Sequence, residues 1–338
     1  MNTTAFPLLQ NHETTRRYVM ESMHKMCLRL LLEATDSQRI MHLTKLTLDI
    51  CIANLSHWMT QGFVTHIPHA RELVQIVLDR ALSSDSAIAG QEYLAEAIEV
   101  AKTGANVLVV QNHRSGADTG VFEMLIKRSF GDDTTRGWAY MSGHIVNVFL
   151  APMVFSTSLD RYQIYSVKNQ TGTGVIEQIT AELKGEMVMQ NMRAMTALVE
   201  RTKQGGQFTV LYPEGGRGEG CLKQGEAKTS CIPKLISGRT DKPFYILPTF
   251  VSGATNLLPV RRGPNEYNQV FDSVERGQAN LRIGQMICGN TFLDRCSYND
   301  RIIADGMMLL IAALAPNVAE KGPYGTARME ELAGRLIG

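Results

Sequence analysis

Paired cysteines, long apolar runs and a dominant charge are all missing from this chain, and each absence removes a class of function. The six cysteines, at positions 27, 51, 221, 231, 288 and 296, form no CxxC pair, and no histidine follows them at metal-ligand spacing. They read as scattered reduced thiols, so a reducing, intracellular compartment is expected rather than a disulfide framework, and no metal or other cofactor is called for. No apolar run reaches the roughly 20 residues that span a bilayer. The two longest, 145–155 and 307–316, read as buried core, the first of them broken by Asn147 and Pro152. The first residues, MNTTAFPLLQNHETTRR, lack a basic head followed by an apolar core, so no signal peptide is expected. Charge is balanced, with 34 Lys and Arg against 33 Asp and Glu, which excludes the strongly basic footprint of a nucleic-acid-binding domain. A soluble or peripherally membrane-attached protein of the cytoplasm is the expectation.

Glycine is absent before Gly62, and residues 1–88 read as an all-helical N-terminal bundle. Val19, Met23, Met26 and Leu30 recur at helical spacing within Arg16–Ala34, and Ser37–Thr60 and His69–Leu82 continue in the same style. The polar run Ser83–Ser86 marks a boundary. From residue 89 the texture changes to short apolar runs alternating with helical stretches. The strand candidates are Val107–Val110, Trp138–Met141, Ile164–Val167, Phe208–Tyr212, Tyr245–Pro248 and Leu281–Ile287. The helix candidates are Gln91–Thr103, Gly120–Phe130, Thr173–Glu186, Gln190–Lys203, Arg301–Leu314 and Thr326–Leu336. This alternation predicts an α/β domain over 89–338, with a mainly parallel central sheet flanked by helices.

Two segments carry chemistry. Asn112-His113-Arg114-Ser115-Gly116-Ala117-Asp118 follows the strand Val107–Val110 and opens a helix. The carboxyl end of a strand is where sites gather in open α/β sheets, and histidine is the side chain suited to general-base work near neutrality. With His113 in the turn and Asp118 in the first helical turn, the carboxylate can accept the ring N–H, fix the tautomer and stabilise the imidazolium. The alternative is a polar turn with an incidental histidine. Ser115 lacks the GxSxG elbow of a serine nucleophile. The second segment, 211–220, places Glu214, Gly215, Gly216 and Arg217 after the strand Phe208–Tyr212. Its glycines let backbone N–H groups approach a ligand, and Arg217 offers a fork for a phosphate or carboxylate. The alternative is a glycine-rich turn with a solvated arginine. Between Gln190 and Lys242 stand nine Lys and Arg against five Asp and Glu, a local excess suited to an anionic ligand or an acidic partner.

Together, a His, four residues and an Asp, then Pro-Glu-Gly-x-Arg after a later strand, resemble the glycerolipid acyltransferase superfamily. Ile246-Leu247-Pro248-Thr249-Phe250 resembles a third family block that ends a strand with proline. The layout over residues 90–290, with helices ahead of it, is most similar to the soluble, plastid-stromal type of glycerol-3-phosphate acyltransferase. The resemblance implies transfer of a fatty acyl group from acyl carrier protein or coenzyme A to a hydroxyl of glycerol 3-phosphate, or of a lysophospholipid or another alcohol. It also allows an organelle stroma as the compartment, phospholipid synthesis as the setting, and a non-catalytic binder of acyl carrier protein or membrane on the same fold.

Carried over by position, the resemblance makes His113 the base and Asp118 its orienting partner. Arg217 then binds the acceptor's phosphate, and Lys168 falls where the stromal type has a Lys-His pair near that phosphate. The partner position here is Asn169, and a second family arginine is replaced by Glu219. Glu214 matches the broader superfamily, which includes lysophosphatidate acyltransferases. Arg193 precedes the glycine-rich loop on a helix and either faces the phosphate or is solvated. Gly143-His144 either lines the site or is structural. Lys223, Lys228, Lys234, Arg261 and Arg262 form a basic set that either attracts an acidic carrier protein or anionic lipid, or is a solvated face.

Overall fold

The computed structural model describes residues 37–58, 61–143, 155–165, 181–216, 220–257, 275–326, 331, 332, 334 and 336, with only the backbone at 55–58 and 183. The expected helix Arg16–Ala34, His144, Val167, Lys168, Asn169, Arg217, Glu219 and the Arg261-Arg262 pair lie outside the described residues. The chain groups into two compact units. The first takes in Met1–Ser84, Ser142–Ala194 and Thr255–Gln278; the second takes in Asp85–Met141, Met195–Ala254 and Ala279–Gly338. The first unit is therefore drawn from three stretches of chain and not from the N-terminal residues alone.

In the first unit, helix α1 (Ser37–Trp58) packs on α2 (Pro68–Ala81). Ile40, Leu43, Leu48 and Cys51 of α1, and Leu73, Val74, Val77 and Leu78 of α2, are buried. Burying such side chains stabilises by about 1.5–3 kcal/mol each. Pro68 opens α2, where its missing N–H costs nothing. Between them lies β1 (Phe63–Val64), paired antiparallel with β5 (Asp160–Ile164) through Phe63↔Tyr162 and Val64↔Arg161. The segment expected to be all-helical thus contributes a strand, and β2 (Ile88–Ala89) is a second one at its end. Two residues are too few to show alternation, so neither was visible to periodicity.

The second unit holds a mixed, mainly parallel sheet. Its strands are β2, β3 (Asn106–Gln111), β4 (Ala139–Gly143), β6 (Phe208–Leu211), β7 (Phe244–Ser252), β8 (Asn280–Ile283) and β9 (Ile287–Cys288). Their order is β4-β6-β3-β7-β8-β2, with β9 beside β7. β3 runs parallel to both neighbours, with Val110 facing Leu211 on one side and Pro248 on the other. β4–β6 and β8–β2 are also parallel, whereas β7–β8 and β7–β9 are antiparallel. Every residue of β3 is buried, as expected for a parallel strand covered on both faces.

Helices α3 (Gln91–Lys102), α4 (Asp118–Phe130), α8 (Gly289–Arg295) and α9 (Asp300–Ala312) pack against this sheet. Trp138 lies flat on Phe208, ring centroids 4.2 Å apart, and leans on Phe122 of α4. Helix α5 (Ala181–Gln204) runs unbroken through the end of the expected helix Thr173–Glu186 and the expected Gln190–Lys203, residues 173–180 lying outside the described residues. Two short helices, α6 (Cys231–Arg239) and α7 (Ala254–Leu257), escape a periodic reading altogether. The strand expected over Leu281–Ile287 is two strands, interrupted where the Gly284 N–H donates to the Pro248 carbonyl at 2.9 Å.

Candidate active site

β3 delivers its carboxyl end with Asn112 locked in place. The Asn112 amide donates to the Val251 carbonyl at 2.9 Å and accepts from the Val251 N–H at 2.7 Å, so a side chain continues the ladder after β3 has ended. The chain then turns through His113, Arg114 and Ser115 into α4. Asp118, the first residue of α4, fastens that turn. Its Oδ2 accepts from the backbone N–H of Arg114 at 2.6 Å and of Ser115 at 2.7 Å. Ser115 Oγ accepts from the Ala117 N–H at 3.1 Å, and the Asp118 N–H donates to the Ser115 carbonyl at 3.3 Å. A carboxylate at a helix N-terminus also gains from the positive end of the helix dipole.

The same Oδ2 lies 3.1 Å from Nδ1 of His113. An ionised carboxylate only accepts, so Nδ1 carries the ring proton and Nε2 keeps its lone pair. The His113 side chain is 24% exposed while that of Asp118 is 1% exposed. Asp118 Oδ1 has no hydrogen-bond partner among the described residues. The pair thus joins a solvent-reachable imidazole to a buried carboxyl group.

The glycine-rich loop meets this turn from β6. The Tyr212 ring packs on the His113 ring, centroids 4.5 Å apart and planes tilted by 33°. Its hydroxyl bonds Thr119 Oγ1, and burial pushes the phenol well above its ordinary range, so Tyr212 is a neutral hydroxyl and not a base. Glu214 is buried. Its Oε2 accepts from the His113 backbone N–H at 2.5 Å and its Oε1 from the Lys223 N–H at 2.8 Å. Burial raises the Glu214 pKa, against the lowering effect of those two N–H donors and of the His113 and Arg114 charges. Glu214 therefore holds the main chain of both His113 and Lys223, one through each oxygen.

Gly215 closes the turn by donating its N–H to the Tyr212 carbonyl at 3.0 Å, at φ +63°. A Cβ there would stand 2.9 Å from Cβ of Glu226, so both the backbone and the space ask for glycine. Gly216 is exposed beside it.

His113, Asp118, Glu214, Gly215 and Gly216 are thus brought together in the second unit. Arg193 is exposed on the part of α5 that belongs to the first unit. Lys168 and Arg217 fall outside the described residues. Ser115 is buried, its Oγ donating to the Ala254 carbonyl at 3.3 Å, and it is no candidate nucleophile.

Sequence reasoning passed over Asn112, Tyr212 and Arg114. Arg114 pairs with Glu320 Oε2 at 2.6 Å, donates to the Glu320 carbonyl at 3.0 Å, and stacks over the Phe250 ring at 5.1 Å. The one signal for Glu320 is its place three residues after Asn317, a helix-start pattern. Asn317 accepts from the Glu320 N–H at 3.0 Å and donates to its carboxylate at 2.9 Å. Nothing in that pattern names Arg114 as the partner. No protein-family model matches the chain, and no curated protein matches it.

Proposed function

We propose that the chain is an O-acyltransferase that moves a fatty acyl group from an acyl thioester to an alcohol. The observation that carries this reading is the His113–Asp118 pair. Nδ1 is held on a desolvated carboxylate, and Nε2 has no partner among the described residues. An alcohol within reach of Nε2 gives up its proton to the ring as its oxygen attacks the thioester carbonyl. A C–O bond forms, the carbonyl oxygen becomes an oxyanion, and its collapse breaks the C–S bond. The imidazolium returns its proton to the departing thiolate. No acyl-enzyme is required, because the thioester is already activated. The Gly215 N–H is committed to Tyr212, which leaves the N–H groups of Gly116 and Gly216 as donors to the oxyanion.

Glycerol 3-phosphate is the acceptor that the sequence resemblance favours, with acyl carrier protein or coenzyme A as donor and Arg217 and Lys168 on the phosphate. Asn169 and Glu219, which replace two cationic positions of the stromal type, favour a second reading in which the acceptor is a lysophospholipid or another alcohol. Among the described residues no helix is long and apolar enough to cross a membrane, so such an acceptor is met without a membrane-spanning helix there.

The test is transfer by the purified chain from acyl carrier protein and coenzyme A thioesters to a panel of these alcohols. Acceptor-dependent ester formation that disappears in His113→Ala is the expected result. Thioester loss without an acceptor identifies a hydrolase instead, and near-normal transfer by His113→Ala removes the histidine from the mechanism. No thioester consumption at all leaves a non-catalytic binding protein.

A further inference from the structure

The segment after α9 has no part in the chemistry proposed above, yet it reaches both halves of the site. Val318–Gly325 forms 3-10 turns. At one point, Glu320 grips Arg114, the residue next to His113, by its carboxylate at 2.6 Å and its carbonyl at 3.0 Å. The same Glu320 carbonyl accepts from the Leu222 N–H at 2.9 Å, in the loop that carries Glu214. Farther on, the Tyr324 hydroxyl accepts from the Gly225 N–H at 2.7 Å and donates to Asp305 of α9 at 2.8 Å. Asp305 is in turn held by Arg301 at 2.7 Å. At Gly322, with φ +54°, a Cβ would stand 2.3 Å from the Leu222 carbonyl, so the segment lies directly against that loop. Tyr324 is buried, and Arg114 is clamped between Glu320 and the Phe250 ring. Four polar contacts, two of them to the one Glu320 carbonyl, thus run from one eight-residue segment to two loops that leave different strands.

We propose that Val318–Gly325 is a positioning strap for the active site, in which Glu320, acting through Arg114, fixes where the His113 ring stands relative to the glycine-rich loop. For its rate readout this inference rests on the acyltransferase reading. Glu320 is a positioning residue, since it touches Arg114 and the loop rather than the reacting atoms. An active-site group displaced by a fraction of an ångström loses rate while ground-state binding is little changed.

The experiment compares wild type, Glu320→Ala, Glu320→Asp and Tyr324→Phe. Steady-state rates are expressed per folded molecule from urea denaturation curves, and the imidazole resonances are followed by NMR. His113 is assigned by its absence in His113→Ala. In Glu320→Ala, kcat is expected to fall about tenfold to a hundredfold while both Michaelis constants stay within about twofold. The His113 Nδ1–H signal is expected to shift or broaden. Glu320→Asp recovers part of both effects, and Tyr324→Phe shows a smaller change in the same direction.

An unchanged kcat and resonance overturn the strap. So does a rise in a Michaelis constant at constant kcat, which makes Glu320 a substrate ligand, and so does a rate loss fully explained by the unfolded fraction. If the wild-type chain transfers no acyl group, the acyltransferase reading fails, and the NMR comparison alone then decides whether Glu320 holds His113.

Discussion

Two of the described histidines lean on an aspartate through Nδ1, and they keep different company. In the second unit His113 meets Asp118 at 3.1 Å; in the first unit His66 meets Asp160 at 2.7 Å. The imidazoles are equally open, 24% and 23% exposed, and the His66 pair is the shorter. Distance and exposure therefore do not tell the two pairs apart. What separates them is what else each residue holds.

Asp118 gathers the backbone N–H groups of Arg114 and Ser115 as well as the ring. The ring is backed by Tyr212, and its own main chain is held by Glu214. Asp160 accepts both the ring and the backbone N–H of His66, while the next residue, Ile67, donates to the Thr157 carbonyl at 2.7 Å. That pair fastens the connection between β1 and α2 to the start of β5. One aspartate gathers a ring together with the turn that opens a helix; the other ties a loop to a strand.

The sharpest way to break this contrast is to remove each ring. His113→Ala is expected to lower acyl transfer by about a hundredfold to ten-thousandfold, the usual range for a general base. His66→Ala is expected to leave the rate per folded molecule within about twofold and to cost about 1 kcal/mol of stability. Equal rate losses in the two variants, measured with the same donor and acceptor, would erase the distinction.

Next in size is Asp118→Asn. It removes the charge that favours an imidazolium and is expected to lower kcat by about a hundredfold, with the far-ultraviolet spectrum unchanged. A variant with wild-type kcat would show that the carboxylate only fastens the turn ahead of α4.

Asn112→Ala tests the scaffold rather than the chemistry. It leaves the Val251 N–H and carbonyl unpaired inside the sheet, and about 2 kcal/mol of unfolding free energy should disappear in urea titrations. A loss of a few tenths of a kcal/mol would mean that β3 does not depend on that side chain.

The smallest effect is a pH slope. The folded-state pKa of Glu214 is raised by burial above its unfolded value, so the folded chain binds this proton more tightly than the unfolded chain does. Its stabilising contribution is fully present below the unfolded pKa and is lost as pH rises through the folded one. The stability of wild type relative to Glu214→Gln should therefore fall as pH climbs from the ordinary carboxylate range. A difference that grows with pH over that window would mean that the two N–H donors outweigh burial.

The readable parts of this molecule are those whose signal is local. β3 was placed to within a residue at each end, because four consecutive buried aliphatics have few alternatives. The turn at His113 and Asp118 was equally visible, since a strand end followed by a helix start confines both residues to one place. β5 was displaced toward Ile164–Val167, because its own residues include buried Asp160, Arg161 and Gln163, which hydrophobic patterning scores as solvent-facing. Burial pushes the Arg161 pKa down to about 10, a mark of how little water reaches it. Glu214 enters the candidate site through the resemblance of Pro213-Glu214-Gly215 to the broader superfamily. The partners it holds are main-chain atoms 101 and nine positions away, and no spacing rule can show those. The Glu320–Arg114 contact, 206 positions apart, was hidden for the same reason.

The single carboxylate of Glu214 has a genetic consequence. Because a side chain from one motif carries the backbone of the other, neither motif is a free-standing module. Replacing 211–226 with a loop of equal length from an unrelated protein removes the acceptor for the His113 N–H even if every residue of 112–118 is retained. Substitutions tolerated in one segment thus depend on what occupies the other, and the two have to be exchanged as one heritable block.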